Sequence, residues 1–192
     1  QWPTFVRTLS TRARFKEELR RQLVHAADTY LLKWNVTRVF AQSETIQRRL
    51  DRWGRIPSTV LYPPPRPRAY RCDQYGDYLF VACRLSPLKR VGLVLEALAQ
   101  PVATGIRCLI AGDGPEREAL VAQTRRLGLE GRVEWLGSIT EQDLVDRLAN
   151  CRAVCYPPSA EDYGLVTLEA FASAKAVITC ADSGGPAEMV RP

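Results

Sequence analysis

The apolar residues of this chain follow two alternating spacings from residue 77 onward. Short runs that are almost wholly apolar are separated by longer segments in which apolar residues recur every three or four positions. The first spacing is typical of strands covered on both faces, and the second of amphipathic helices. We therefore predict strands and helices in alternation, the strands at 78–83, 107–111, 132–136, 153–156 and 176–180 and the helices at 87–99, 116–127, 140–149 and 164–174. This alternation indicates an α/β fold with a parallel sheet and helices on both of its faces.

The first third of the chain has a different pattern. Ser10 is placed to cap a long helix in which apolar residues from Phe15 to Trp34 recur at helical spacing. After this helix we predict a strand, a short helix and a second strand, at 36–41, 43–50 and 59–62.

Four prolines between Pro63 and Pro67 mark the best domain boundary in the chain. This stiff segment can form neither a helix nor a central strand, because proline has a fixed φ and no backbone N–H. We expect the incomplete end of a larger domain at 1–62, a Pro-rich linker at 63–76 and the parallel-sheet domain at 77–192.

The positive charge is concentrated near the beginning of the chain. The net charge is +6, and residues 1–55 carry 12 Lys and Arg against 5 Asp and Glu. Such a surplus attracts nucleic acid or an anionic membrane surface, and it is also typical of a simply solvated helix face. No nucleic-acid-binding motif accompanies it, so we expect no nucleic acid partner. Peripheral contact with the cytoplasmic face of a membrane stays open beside the solvated face.

The composition predicts a cytoplasmic protein without a metal site. No apolar run reaches membrane-spanning length, and the first residues lack the pattern of a signal peptide. The six cysteines include no Cys-x-x-Cys pair, which favours reduced thiols, and a single histidine argues against structural zinc.

The segment from Tyr156 to Glu169 carries the most informative candidate chemistry. It follows an apolar run, breaks at two prolines and continues into a helical pattern after Gly164. Loops at the carboxyl ends of parallel strands are where ligands bind, and the first amides of a helix bind anions. Glu161 and Glu169 flank this anion site, which suits a ligand with hydroxyl-rich groups on both sides of a diphosphate. The alternative is a solvated loop residue and an exposed helix residue.

A second candidate group follows the strand predicted at 78–83. Arg84 and Lys89 bracket a strand-to-helix turn in which Ser86 is placed to cap the helix. Two cations beside a helix N-terminus suit a diphosphate. The alternative is a pair of ordinary surface cations.

Two glycine-containing turns follow further strands. The turn Gly112-Asp-Gly-Pro115 lacks both the dinucleotide fingerprint and the phosphate-binding lysine of P-loops, so it is either a ligand contact or a structural turn. The turn Ser183-Gly-Gly-Pro-Ala-Glu188 is placed at the same predicted edge. No Asp-x-Asp pair is present to bind a metal–diphosphate complex, so we expect no metal and assign charge neutralisation to Arg84, Lys89 and helix dipoles.

Taken together, these motifs resemble those of the family 4, or group 1, glycosyltransferases of the GT-B fold. Glu161 and Glu169 resemble the paired glutamates of the family, and Glu161-Asp-Tyr-Gly-Leu165 resembles its Glu-x-Phe-Gly-Leu core. Arg84 and Lys89 have the spacing of its diphosphate-binding pair, and three further landmarks match, at Gly112-Asp-Gly-Pro115, Trp135-Leu-Gly137 and Gly184-Gly-Pro-Ala-Glu188. The resemblance implies a Rossmann-like donor-binding domain at 77–192, preceded by the end of an acceptor-binding domain.

The resemblance also implies roles for individual residues. Arg84 and Lys89 would bind the diphosphate of a nucleotide sugar, and Glu161 would hold the transferred sugar as the catalytic residue. Gly164 and Leu165 would meet the sugar and phosphate through their amides. Glu169 would bind the ribose hydroxyls, and Ile139 would offer backbone groups to the nucleobase. These seven residues are the candidate site.

The implied activity is that of a retaining hexosyltransferase without a required metal. The donor would be a nucleotide sugar such as GDP-mannose or a UDP-sugar, and the acceptor a glycan or a lipid-linked molecule. Cys83 and Tyr163 depart from the usual glycine and phenylalanine of the family. Most of an acceptor domain and the last family elements are missing, so we expect a donor-binding fragment rather than a complete enzyme. The alternatives are a GT-B nucleotide-sugar epimerase and a non-enzymatic module that binds membrane or nucleic acid.

Overall fold

A five-stranded parallel sheet forms the centre of the larger of two structural units in this chain. The structure is a computed structural model that describes residues 11–190, with side chains from residue 13 onward. Within this range, the first unit comprises residues 11–41 and 46–61, and the second comprises residues 42–45 and 62–190.

The first unit contains a long helix and a short parallel strand pair. Helix α1 spans Thr11–Trp34, strand β1 spans Phe40–Ala41 and strand β2 spans Thr59–Val60. Helix α2, Glu44–Gly54, lies between the strands in sequence and begins within the second unit. The predicted cap of α1, Ser10, lies outside the described residues.

The strands predicted at 36–41 and 59–62 were too long. Only two residues of each strand pair with a partner, Phe40 with Thr59 and Ala41 with Val60. The apolar side chains of α1 are exposed within this unit, for instance those of Phe15, Leu23 and Trp34. None of the helices described between residues 11 and 190 has the length and apolarity needed to cross a membrane.

The second unit confirms the predicted parallel sheet. Its strands occur in the order β5-β4-β3-β6-β7, and every neighbouring pair is parallel. The strands are β3 Tyr78–Ala82, β4 Arg107–Ala111, β5 Val133–Gly137, β6 Ala153–Cys155 and β7 Ala176–Ile178. The helices are α3 Val91–Leu98, α4 Arg117–Arg126, α5 Glu141–Asn150, α6 Leu165–Ala172 and α7 Gly185–Met189.

Helices cover both faces of this sheet, as the sequence pattern predicts. Successive residues of β3 point to opposite faces, so Phe80 and Val81 enter different hydrophobic clusters. Helices α3 and α4 contribute to the cluster around Val81, and helices α5 and α6 to the cluster around Phe80. The inner strands β3 and β6 are wholly apolar because helices cover both of their faces, whereas the edge strands β5 and β7 have exposed positions at Glu134 and Ile178.

The helix predicted at 87–99 is broken at Arg90. A 3₁₀ turn at Pro87–Lys89 precedes α3, and Arg90 has a left-handed backbone with φ 49°. Ser86 stands at the start of this turn but forms no side-chain cap. Long-range hydrogen bonds of the Arg90 side chain, described below, hold the break.

The strand predicted at 176–180 ends at Ile178. The chain then turns, because Ser183 donates its backbone N–H to the carbonyl of Cys180 at 3.0 Å. Cys180 therefore lies in a turn and not in a strand. All six cysteines are free thiols.

The segment after the prolines is bound to the second unit by a buried lysine. Lys175 is 2% exposed, and its Nζ donates to the carbonyl of Gln74 and lies 3.2 Å from Sγ of Cys72. The same Nζ lies 4.2 Å from the ring centroid of Tyr75. The segment predicted as a linker at 63–76 thus packs on the second unit over much of its length. The assignment of 1–62 and 77–192 to acceptor-side and donor-side domains stays a prediction.

Candidate functional site

The carboxyl ends of β3 and β6 create a crevice in the second unit. The chain leaves β3 towards β4 on one side, whereas β6 lies on the other side of β3, so the connections diverge at this point. Such a switch point is where ligands bind in open parallel sheets. A cleft of about 1110 Å³ lies here. Six of the seven candidate residues line it: Arg84, Lys89, Glu161, Gly164, Leu165 and Glu169.

Ile139, the seventh candidate residue, lines an adjoining pocket of about 420 Å³. Arg84 and Glu169 line this pocket as well as the cleft, so the two spaces share a wall. Gly112 and Asp113, from the glycine turn after β4, also line the pocket. The structure therefore brings all seven residues to one rim of the sheet, and their individual roles stay predictions.

Lys89 and Glu161 form an ion pair inside the cleft. Nζ of Lys89 lies 2.5 Å from Oε2 of Glu161 and donates to the hydroxyl of Tyr156 at 2.9 Å. Burial would lower the pKa of Lys89, but these hydrogen bonds outweigh it and raise the pKa above its usual 10.5. Burial raises the pKa of Tyr156 to about 12, so Tyr156 stays neutral at physiological pH. The ammonium of Lys89 therefore stays charged and in contact with the carboxylate of Glu161.

Arg84 differs from Lys89 in its surroundings. Its side chain is exposed and makes no ion pair with any residue in the described part of the chain. A guanidinium in this state can bind two oxygens of an incoming anion without first giving up a partner. Lys89, in contrast, would share its charge between Glu161 and any anion.

The backbone of Glu161 is held by the turn that follows β7. Its N–H donates to the carbonyl of Ser183 at 2.9 Å, and its carbonyl accepts from the N–H of Gly185 at the same distance. Gly184 has φ 77°, and a Cβ built on it would lie 2.4 Å from the carbonyl oxygen of Glu161. Only glycine permits this approach. The Ser183-Gly184-Gly185 turn thus positions Glu161.

Helix α6 begins beside Glu161. Gly164 precedes the helix with φ 82°, and a Cβ on it would lie 2.7 Å from Cγ of Pro186 and 2.9 Å from Cε1 of Tyr156. The absence of a side chain lets Gly164 pack against Pro186 and Tyr156, and the first residues of α6, Leu165 and Val166, line the cleft. The first amides of α6 carry the positive end of the helix dipole.

Glu169 is buried and paired, not an exposed helix residue. Its side chain is 9% exposed, and Oε1 forms an ion pair with Nη1 of Arg68. Nη2 of the same arginine lies 2.9 Å from Oε1 of Glu141, at the start of α5. Tyr163, nearby in the cleft wall, donates its hydroxyl to the carbonyl of Pro63. Its hydroxyl, which a phenylalanine would lack, ties the Pro-rich segment to the loop of Glu161.

The glycine turn after β4 packs against the turn after β3. A Cβ on Gly112 would lie 1.9 Å from the carbonyl oxygen of Cys83, and the N–H of Leu85 donates to the carbonyl of Asp113 at 2.9 Å. The turn therefore has a structural role, and it also lines the pocket of Ile139. Cys83, which departs from the glycine of the family, is largely buried, and burial raises its pKa to about 12.

Sequence analysis missed Arg90 as a link between two loops of the site. Its Nε and Nη2 donate to the carbonyls of Pro157 and Pro158 at 2.9 and 2.7 Å. Its guanidinium also pairs with both carboxylate oxygens of Asp182, at 2.7 and 2.6 Å. Arg90 thereby joins the turn of Lys89 to the loop of Glu161.

Arg68 and Tyr156 are the other residues that sequence analysis missed. Arg68 is separated from Glu169 by 101 positions, and Tyr156 from Lys89 by 67. No local pattern connects residues so far apart. Only the adjacency of an arginine to the Pro-rich segment that enters the cleft could have drawn attention to Arg68.

The sequence of this chain matches a family model and several known proteins. The family model "Glycosyl transferases group 1" matches residues 70–192. An exopolysaccharide phosphotransferase of Streptomyces coelicolor is 30% identical over 151 residues, which are 77% of this chain and 15% of that protein. A lipopolysaccharide 1,6-galactosyltransferase of Salmonella typhimurium is 31% identical over 138 residues, 70% of this chain and 36% of that protein.

A solved structure shows the same fold. The Anabaena protein HepE, in complex with UDP and glucose, superposes with a TM-score of 0.70 and 26% identity. The match covers 82% of this chain and 47% of HepE, so the chain spans less than half the length of each of the three proteins named here. Because the family model matches well over half of its residues, this chain belongs to the group 1 glycosyl transferases.

Proposed function

We propose that this chain is the donor-binding part of a retaining hexosyltransferase. The enzyme transfers a sugar from a nucleotide sugar to a glycan or lipid-linked acceptor. The observation that carries this proposal is the convergence of Arg84, Lys89, Glu161 and Glu169, from two different segments, on one cleft at the switch point of the sheet.

The charges of the cleft suit a diphosphate between two hydroxyl-rich groups. Arg84 and Lys89 lie on the turn after β3, and the first residues of α6 line the same cleft. Negative charge builds on the departing diphosphate during sugar transfer, so fixed cations and amides lower the barrier. These groups supply positive charge without a metal ion, and the proposed reaction therefore requires no metal.

The two carboxylates would bind hydroxyls at opposite ends of the donor. Glu161 lies beside Lys89, so it would hold the transferred sugar next to the diphosphate. Glu169 lines both the cleft and the pocket of Ile139, and this supports a role for it between the diphosphate and the nucleobase. A ribose at that position would donate its vicinal hydroxyls to Glu169.

The relatives favour a UDP-sugar as the donor. HepE was solved with UDP and glucose, and the Salmonella relative is named a galactosyltransferase. Both point to a hexose carried on a nucleoside diphosphate, with GDP-mannose as the other donor that we consider. The choice of acceptor and the retention of configuration at the transferred sugar are proposals about the whole protein.

A thermal-shift panel tests the proposal directly. We expect UDP or GDP, or the corresponding nucleotide sugars, to raise the melting temperature of the 192-residue chain. A ligand at a hundred times its Kd stabilises by about 2.7 kcal/mol, which corresponds to on the order of 5–10 °C here. Lys89→Met and Glu169→Gln should each remove most of this rise.

Arg126→Met provides the control, since it removes a cation from an exposed position at the end of α4, away from the cleft. We expect its nucleotide response to equal that of the wild type. A wild-type chain whose melting temperature changes with none of these nucleotides would refute the proposed function.

A further inference from the structure

Arg68 is an unexpected cation in the wall of the cleft. It comes from the Pro-rich segment, and its side chain is 10% exposed. Its two Nη atoms bind two carboxylates, Nη1 that of Glu169 and Nη2 that of Glu141. Tyr70 adds its hydroxyl oxygen at 3.4 Å from Nη1. The guanidinium is thus committed to protein groups.

Arg68 has one further donor nitrogen, Nε, besides its two Nη atoms. Its Nε is buried and finds no hydrogen-bond partner among the residues that the structure describes. Leaving a buried donor without a partner costs free energy, and the hydrogen bonds of the two Nη groups offset that cost. Of its two carboxylate partners, Glu169 is the buried one, with a side chain that is 9% exposed against 73% for Glu141.

Glu169 needs such a partner because of its burial. A carboxylate that is 9% exposed loses most of its hydration, and a buried charge without a compensating partner destabilises the fold. Arg68 supplies the compensating charge and occupies one oxygen, Oε1. The pair thereby holds the carboxylate of Glu169 in the wall that the cleft and the pocket of Ile139 share.

We propose that Arg68 is a positioning residue for the ribose of the donor. It holds the carboxylate of Glu169 turned so that Oε2 accepts hydrogen bonds from the vicinal ribose hydroxyls of a nucleoside diphosphate. This inference rests on the proposed function and deepens it, because it assigns ribose recognition to a pair of residues from two distant segments. Glu141 anchors the outer side of Arg68 and completes the arrangement.

The test compares nucleotides with and without ribose hydroxyls. The probes are UDP or GDP, whichever binds the wild-type chain more tightly, and the 2′,3′-dideoxy analogue of that nucleotide. Binding is measured by calorimetry on wild type, Arg68→Met and Arg126→Met. We expect Arg68→Met to weaken binding of the ribonucleotide about tenfold and to leave binding of the dideoxy analogue unchanged.

This readout separates positioning from a general structural effect. A loss of fold or of diphosphate binding would weaken both probes equally, and equal weakening would overturn the proposal. Arg126→Met should keep the wild-type ratio of the two affinities. An increase in ribonucleotide affinity in Arg68→Met would also overturn the proposal, since Arg68 would then compete with the ribose for Glu169.

A second comparison holds even if Arg68→Met alone does not fold. Glu169→Gln and the double variant Arg68→Met/Glu169→Gln both lack the buried carboxylate, so neither leaves it uncompensated. If Arg68 acts through Glu169, the two variants bind both probes equally. A further loss of ribonucleotide binding in the double variant would show that Arg68 contacts the ligand itself, and would overturn the proposal.

Failure of this inference differs from failure of the proposed function. A wild-type chain that binds neither UDP nor GDP contradicts the proposed function. A wild-type chain that binds one of them, but whose ratio of ribonucleotide to dideoxy affinity is the same in Arg68→Met, contradicts only the role of Arg68.

Discussion

At the scale of single residues, the groups predicted to bind the donor are also bound to each other. Lys89 pairs with Glu161 at 2.5 Å, and Arg68 pairs with Glu169. The side chains of Lys89 and Glu161 are 20% and 23% exposed, so each loses much of its hydration in the folded protein. The partner of opposite charge offsets the free-energy cost of that loss. The pairs therefore serve the fold as well as the proposed ligand.

The pH dependence of stability should reveal the Lys89–Glu161 pair. The folded-state pKa of Lys89 is raised above 10.5, so its stabilising contribution is fully present below that pH and is lost as pH rises through the folded-state pKa. We expect Lys89→Met to lower the free energy of unfolding by about 1–2 kcal/mol at neutral pH. The difference from wild type should shrink above about pH 10.5.

Urea unfolding between neutral and strongly alkaline pH measures this difference. Arg126→Met is the matched control, because arginine does not titrate in this range and any small effect should stay constant. A Lys89→Met difference that grows with alkalinity would contradict the ion pair.

At the scale of elements, the turns that follow the strands contain the residues of the site, and contacts with neighbouring elements fix the conformation of these turns. Gly112, Gly164 and Gly184 each permit a close approach that a side chain would block. The predicted helix is interrupted at Arg90, where a 3₁₀ turn is followed by α3. The side chain of Arg90 contacts the loop after β6. The geometry of Lys89 relative to Glu161 depends on these turns.

Two glycine substitutions should show how strongly the backbone beside Glu161 depends on glycine. Gly105 and Gly184 both have positive φ values, 84° and 77°, but a Cβ on Gly105 meets nothing within 4 Å. We expect Gly105→Ala to destabilise by about 1 kcal/mol through backbone strain alone. Gly184→Ala should cost about 1–3 kcal/mol more, because its Cβ displaces the carbonyl of Glu161 and its backbone, with ψ −126°, suits glycine alone.

Urea unfolding and nucleotide thermal shifts measure both effects on the same two variants. Gly105→Ala should keep the wild-type nucleotide response, whereas Gly184→Ala should lose much of it. Equal stability of the two variants would mean that the contact with Glu161 has no energetic role.

At the scale of the whole molecule, strand order decides which segments share the cleft. Because β6 lies beside β3, the loop that follows it meets the turn of Arg84 and Lys89, although some 70 residues separate them. Helix α4 and strand β5 lie on the opposite side of β3 and contribute no residue to the cleft itself. A donor would therefore contact discontinuous segments at once.

Hydrogen exchange should show this discontinuous footprint. We expect a bound nucleotide sugar to slow amide exchange several-fold in peptides that cover 83–90 and 159–169, with smaller protection near Ile139. Peptides from α4, at 117–126, should exchange at the same rate with and without ligand. Mass spectrometry of the exchanged peptides measures both. Protection confined to one segment would contradict a shared cleft.

Much of the second unit follows from its local pattern. Parallel strands place all their carboxyl ends on one edge, so the positions of Arg84, Lys89, Glu161 and Glu169 after such strands were enough to predict a common rim. The predicted sheet and its two helical layers are confirmed. The predicted continuous helix at 87–99 was wrong, because the side-chain bonds of Arg90 to the loop after β6 hold its backbone in a left-handed conformation that local propensity does not predict.

The sequence by itself determined which residues could form strands, turns and helices, because burial period and turn chemistry are properties of neighbouring residues. It also determined the family, through motifs that each occupy a few positions. Only the tertiary structure decided the partners: Lys89 with Glu161, Arg68 with Glu169, and Lys175 with the segment around Gln74. These pairs form because burial makes an unpaired charge costly, and which partner lies within reach depends on the folding of distant segments onto one sheet.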